Sequence, residues 1–266
     1  MLEQFEILFS HEGLWDSAFG LAFLLCGIYL AHLAVYFASG YALTWINHRN
    51  PARKIQTKQS RVPAFREIKQ SFISLLATSL CFLLALLISI KDWGVNSAVI
   101  DYFSLTGLFS VLGYFLLAAL FGDLWFYIEH RLAHTKWLIR IHREHHLSPV
   151  PTPWTNDRFS FFEVILIQVY MVVLAFFTPI PFEILIVYRI YDQIKGMIGH
   201  CGYEYFEGAW ARWPSPFACV GYHDAHHEKF SVNYGNLLTV WDRIFGTIEP
   251  DYDNKVVAMT EKYKQL

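Results

Sequence analysis

The sequence predicts an all-α integral-membrane fold, with about three transmembrane helices, a helical hairpin and a cytoplasmic helical cap carrying most of the histidines. Three observations predict it. The chain is 55% hydrophobic and only 17% charged, against roughly 25% charged in soluble domains. Three uncharged runs each reach the roughly 20 residues that cross a hydrocarbon core. Eight of the 12 histidines fall in three tight clusters.

The uncharged runs are 17–43, 71–90 and 103–122, none of which contains Asp, Glu, Lys or Arg. One such run could be a buried helix of a soluble protein, but three in the first half of the chain read as spans. The stretch 164–200 is different. Its first part is uncharged, Pro179 and Pro181 then break it, and its second part carries Glu183, Arg189, Asp192 and Lys195. Charges at membrane depth are costly unless they face protein, so this stretch reads as a hairpin whose second arm packs inward.

Loop charge sets the orientation. Residues 47–69 hold Arg49, Arg53, Lys54, Lys58, Arg61, Arg66 and Lys69 against Glu67 alone, whereas the segment before Ser17 is acidic. The positive-inside bias puts that loop in the cytoplasm and the N-terminus outside. The third span then returns to the cytoplasm just before His130, where Arg131, Lys136, Arg140 and Arg143 agree with it. Glu3, Glu6 and Glu12 stand where a signal peptide needs a basic region, so none is expected. A net charge of -2 with no basic face argues against nucleic acid. The four cysteines form no CxxC pair, and Cys26 and Cys81 read as small buried hydrophobes.

The clusters are His130-Arg-Leu-Ala-His134, His142-Arg-Glu-His145-His146 and His223-Asp-Ala-His226-His227. Spacings of three and four place the histidines of each cluster on one helix face. Three such faces offer more imidazoles than one ion accepts, so two metals are expected, and imidazole suits iron, zinc and copper. His200 ends the hairpin at the level of the clusters and is read as a ninth ligand, with Gln193 on its face. Asp123, Tyr127, His130 and His134 form one helical stripe, which makes Asp123 a candidate to orient an imidazole or to ligate. His11, His32 and His48 are read as ordinary polar residues.

With these residues in hand, the chain resembles the sterol desaturase and fatty acid hydroxylase superfamily of membrane di-iron enzymes. The resemblance covers roughly residues 60 to 250. It extends to Arg66-Glu-Ile-Lys69, Pro151-Thr-Pro-Trp154, Asn233-Tyr-Gly235 and Trp241-Asp-Arg-Ile-Phe-Gly-Thr247, which look most like the C5-sterol desaturase branch. His200-Cys-Gly-Tyr-Glu204 is instead similar to the C4-methyl sterol oxidase branch. The chain departs from the pattern in two ways. Sterol desaturases usually carry further histidines after Pro151-Thr-Pro153, where Asp157 and Ser160 stand nearby here, and some members have a histidine at the position of Gly196.

The resemblance implies a single domain over 1–266 that hydroxylates or desaturates a sterol-like or fatty-acyl lipid. It also implies two iron ions, with zinc as a possible substitute, and O2 as co-substrate. No haem- or flavin-binding segment is visible, so a separate electron donor of cytochrome b5 or ferredoxin type is implied. The lipid is expected to enter between the third span and the hairpin, past Phe115, Leu116, Met171 and Leu174. Two other classes fit less well. A zincin hydrolase needs HExxH, which His11-Glu-Gly-Leu-Trp15 and His227-Glu-Lys-Phe-Ser231 lack. A metal transporter would carry ligands within several spans rather than at their ends. Lys262 and Lys264 resemble a dilysine retrieval signal of the endoplasmic reticulum, though a frayed charged tail reads the same. In a bacterium the expected location is the inner membrane.

Overall fold

The computed structural model describes residues 15, 17–60 and 62–265; the acidic N-terminal segment, with His11, lies outside them. Helix α1 runs Ala18–Arg49, α2 Ala64–Ile90 and α3 Leu105–Ala133. All three are long and apolar enough to cross a membrane. Ser17 and Ser104 start α1 and α3 by accepting hydrogen bonds from the backbone N–H groups of Gly20 and Gly107. Pro63 starts α2.

Each helix overruns its uncharged stretch. The 29 residues of α3 make about 44 Å of helix against a hydrocarbon core of about 30 Å. The excess carries His130 about two turns past the end of the uncharged run 103–122. No strand forms among the described residues.

The hairpin is α5, Phe161–Phe177, and α6, Phe182–Gly199, after the short α4, Ile139–His146. Pro179 and Pro181 make the break, and Pro181 caps α6. The 17 residues of α5 measure about 26 Å, somewhat short of a full crossing. Helix α5 lies along α2, and α6 packs against α1 and α3. This leaves α2 the central helix, with 56% of its apolar window buried against 11% for α1 and 17% for α3. On α1 and α3 the outward side chains, among them Phe19, Phe23, Leu108, Phe109 and Leu112, are exposed and apolar. That surface is suited to lipid.

Two polar residues of α6, Arg189 and Gln193, turn inward as its charge pattern required, whereas Glu183 in its first turn is exposed. Arg189 and Gln193 are buried and bonded to each other, and Arg189 also pairs with Asp192 at 3.1 Å. The remaining helices are α7, Val220–Lys229, α8, Val240–Ile244, and α9, Tyr252–Tyr263. With α4 they form the cap at the ends of α1, α2 and α3.

Candidate metal centre

The structure gathers nine imidazoles into two adjoining groups. His130, His134, His142, His146 and His226 form the first, and His145, His200, His223 and His227 the second. Within each group one nitrogen per ring lies within 4.8 Å of every other. All nine histidines singled out in the sequence are present. They are not divided by cluster, however. Helix α4 gives His142 and His146 to one group and His145 to the other, while α7 gives His226 to the first and His223 and His227 to the second. A face spanning positions i, i+3 and i+4 is wide enough to meet two centres lying side by side. His32 instead bonds Ser79 at 2.9 Å, and His48 is exposed.

Hydrogen bonds fix which nitrogen each ring presents. The Nδ1–H groups of His130, His200, His226 and His227 donate to the carbonyls of Tyr234, Gly196, Val232 and Ser148, at 2.8, 2.8, 2.7 and 3.1 Å. A carbonyl only accepts, so the Nε2 lone pair of each ring points into its group. His142 is oriented likewise, its Nδ1 bonded to the Glu163 carboxylate. The Nε2 atoms of His130, His142 and His227 have no protein partner although buried.

Elsewhere imidazole nitrogens crowd one another. His134 and His146 approach to 3.0 Å, His146 and His226 to 3.2 Å, His145 and His200 to 3.2 Å, and His200 and His223 to 2.9 Å. Two nitrogens bound to one ion at about 2.1 Å and at right angles lie about 3 Å apart. The spacing therefore suits a shared ion in each group.

Burial keeps these rings neutral, which is the ligating form. Desolvation pushes His142 down to about 2, His226 to about 3, and His134 and His200 to about 4. His145, His146, His223 and His227 are also lowered, by burial first and by neighbouring imidazoles second.

Two buried carboxylates brace the shell. Glu67 of α2 accepts from Ser148 at 2.5 Å, Thr155 at 2.8 Å and Thr152 at 2.6 Å. It thereby joins the Arg66–Lys69 motif to the Pro151–Trp154 motif and steadies the Ser148 carbonyl that holds His227. Asp242 accepts from the Tyr234 and Gly235 backbone N–H groups at 2.9 and 2.7 Å, and also from Tyr222 and Thr247. It thus fixes the loop whose Tyr234 carbonyl holds His130.

Asp123 does a different job from the one its stripe suggested. Its oxygens accept from Leu237 N and Trp241 Nε1 at 2.7 and 2.9 Å, so it anchors this loop and bonds no histidine. The carboxylate that does meet an imidazole is Glu163. It lies 21 residues from His142 on another helix, and no spacing rule links the two. Replacing Glu163 with glutamine is expected to weaken metal retention in the first group by about 10- to 100-fold, read by competition with a chelator. Unchanged retention would show that the contact does not orient His142.

A small cavity does lie between α3 and the hairpin, lined by Gly122, Phe126, Gln168 and His200 among others. The four residues expected on its wall do not line it. Met171 and Leu174 are packed in the core, half-exposed Leu116 faces outward, and Phe115 packs on Tyr188 and Tyr191. Helix rotation, which periodicity alone left open, decides the matter.

The family model for fatty acid hydroxylase matches residues 115–247, half of the chain and all of the histidine groups. The chain belongs to the fatty acid hydroxylase family. Its similarity to individual curated proteins is more local. A very-long-chain aldehyde decarbonylase of Oryza sativa subsp. indica is 27% identical over 122 residues, 43% of this chain and 20% of that protein. A cholesterol 25-hydroxylase-like protein of Danio rerio is 43% identical over 53 residues, 18% of this chain and 20% of the other. Methylsterol monooxygenase 1 of Gallus gallus is 43% identical over 49 residues, covering 18% of this chain and 15% of the other. The matches thus span about a fifth or less of each relative's length. No solved structure matches the chain. The family name and the names of the hydroxylase and the monooxygenase among these relatives are those of oxidoreductases.

Proposed function

We propose that the protein is an O2-dependent, non-haem di-iron oxidase that hydroxylates or desaturates a lipid at an unactivated C–H bond. One observation carries this reading. Nine neutral imidazoles, eight of them buried and His134 half-buried, converge in two groups at the end of three membrane-length helices. In this reading His130, His134, His142, His146 and His226 hold one ion and His145, His200, His223 and His227 the other. A shell of imidazoles suits iron, accepts zinc in its place, and would be unusual for calcium or magnesium, which take oxygen ligands. Two iron ions so held would supply activation of O2 and removal of hydrogen from an aliphatic carbon.

The protein's own part is positional. Four backbone carbonyls and Glu163 hold five of the nine rings in one tautomer, Glu67 and Asp242 hold the loops that supply two of those carbonyls, and burial keeps water from the centre. The comparison names fit a lipid substrate, and the whole chain, 1–266, is read as one domain built around this centre. Its two electrons come from a separate donor of cytochrome b5 or ferredoxin type. The basic loop 47–69 and the residues Arg131, Lys136, Arg140 and Arg143 support a cytoplasmic active site. That site lies at the endoplasmic reticulum in a eukaryote or the inner membrane in a bacterium. Iron content measured together with lipid-dependent oxygen uptake tests the reading.

A further inference from the structure

The cavity between α3 and the hairpin is about 50 Å³ and touches His200. That is room for a hydroxyl group or a few waters, not for a hydrocarbon chain. Its wall is polar. Asp192 pairs with Arg189 at 3.1 Å and Lys195 at 3.3 Å, and Asp157 accepts from Gln193 at 2.5 Å and Asn156 at 2.9 Å. Two cations and two carboxylates balance, so the cavity needs no further charge.

Three side chains on this wall are left over. Gln168 Oε1, Tyr170 Oη and Arg189 Nε are buried without a partner, on residues only 8%, 3% and 4% exposed. The first is an acceptor, the last a donor and the phenol either, so together they suit a group that can both give and take a hydrogen bond.

The cavity has an apolar neighbour. A groove of about 390 Å³ runs between α1 and α6, lined by Phe23, Ile28, Val35, Phe82, Ile186 and Ile190. Phe23, Ile186 and Ile190 are exposed on the membrane-facing surface. Arg189 lines both spaces, and Gln193, which also lines the groove, bonds Asp157 of the cavity wall. Asp157 and Gly196 both line the cavity. A Cβ at Gly196 would stand 2.4 Å from Asn156 Oδ1.

We propose that this cavity is a hydroxyl-recognition subsite, and that the substrate is an alcohol-bearing lipid. Its O–H donates to Gln168 Oε1, its oxygen accepts from Arg189 Nε–H, and its hydrocarbon lies in the groove between α1 and α6. The inference rests on the lipid-oxidase reading, but its test does not use turnover. Binding to the metal-loaded protein in detergent is measured for two matched pairs, hexadecan-1-ol against hexadecane and cholesterol against 5-cholestene. At least one alcohol should bind about tenfold or more tightly than its hydrocarbon, since a site built for a polar group rejects the analogue that lacks it. The pair that shows the preference tells a fatty alcohol from a sterol.

Gln168→Leu should abolish that preference and leave hydrocarbon binding and metal content unchanged. Removing an unpaired buried acceptor should not itself unfold the protein. Arg189→Lys, which keeps the charge opposite Asp192, should reduce the preference as well. Equal binding of alcohol and hydrocarbon in both pairs, or a preference that survives Gln168→Leu, would overturn the proposal and leave the cavity as a water site. A protein without iron that still prefers the alcohol would overturn the oxidase reading alone.

Discussion

Alanine at His226 or at His223 is expected to remove one of the two proposed ions, and to abolish turnover in both cases. The two residues share α7, three positions apart, yet belong to different groups. Losing one ligand from an imidazole shell leaves an ion with an open edge and a neighbouring ring with a buried, unpaired nitrogen. Loss of affinity at the damaged centre should exceed the 10- to 100-fold typical of an outer partner. The intact group should keep its ion, because its ring orientations come from separate carbonyls. Metal analysis after dialysis against a weak chelator distinguishes one ion from two. Loss of both ions from either variant would mean a single shared centre.

The second large effect is acid lability of the metal-free protein. In the unfolded chain a histidine takes up its proton near pH 6.5. In the folded protein His134 and His200 wait until about 4, His226 until about 3 and His142 until about 2, chiefly through burial. Below about pH 6.5 the unfolded state therefore binds more protons. Stability is present above that pH and is lost as pH falls. Each such histidine costs about 1.4 kcal/mol per pH unit. Counted alone, four of them remove roughly 5 kcal/mol per unit, comparable with the whole stability of many domains; buried carboxyls raised by desolvation, such as Asp224 at about 7, act in the opposite sense and offset part of it. The apoprotein should unfold between about pH 6.5 and 4, and the metal-loaded protein should persist to lower pH because its lone pairs are occupied. Denaturant titrations at pH 7.5 and 5.5 test this. Equal apoprotein stability at both would show that the rings are solvated.

Much of this arrangement is legible in the sequence because apolar runs and histidine spacings are local signals. The three spans, the proline break of the hairpin and all nine histidines follow from them. The helix ends do not, since α3 runs past its uncharged stretch to Ala133 on helical propensity and packing. Nor does the sharing of histidines between two groups, because a common face says nothing of how many centres lie opposite it. Asp123 shows the same limit. Its place on the stripe with His130 is real, but periodicity identifies a face and not its partner, which is the loop carrying Leu237 and Trp241. Glu163 and Glu67 act across 21 and 81 or more residues, a range at which only the folded chain brings partners together.

The central claim is tested most directly by iron content and oxygen uptake on one preparation of the wild-type protein. The protein is purified from iron-supplemented cells and supplied with reductant, a donor protein and a lipid extract. The account predicts two iron ions per chain and oxygen consumption that depends on lipid, matched by a product that has gained oxygen or lost two hydrogens. One ion per chain, or two ions with no lipid-dependent oxygen uptake, would contradict it.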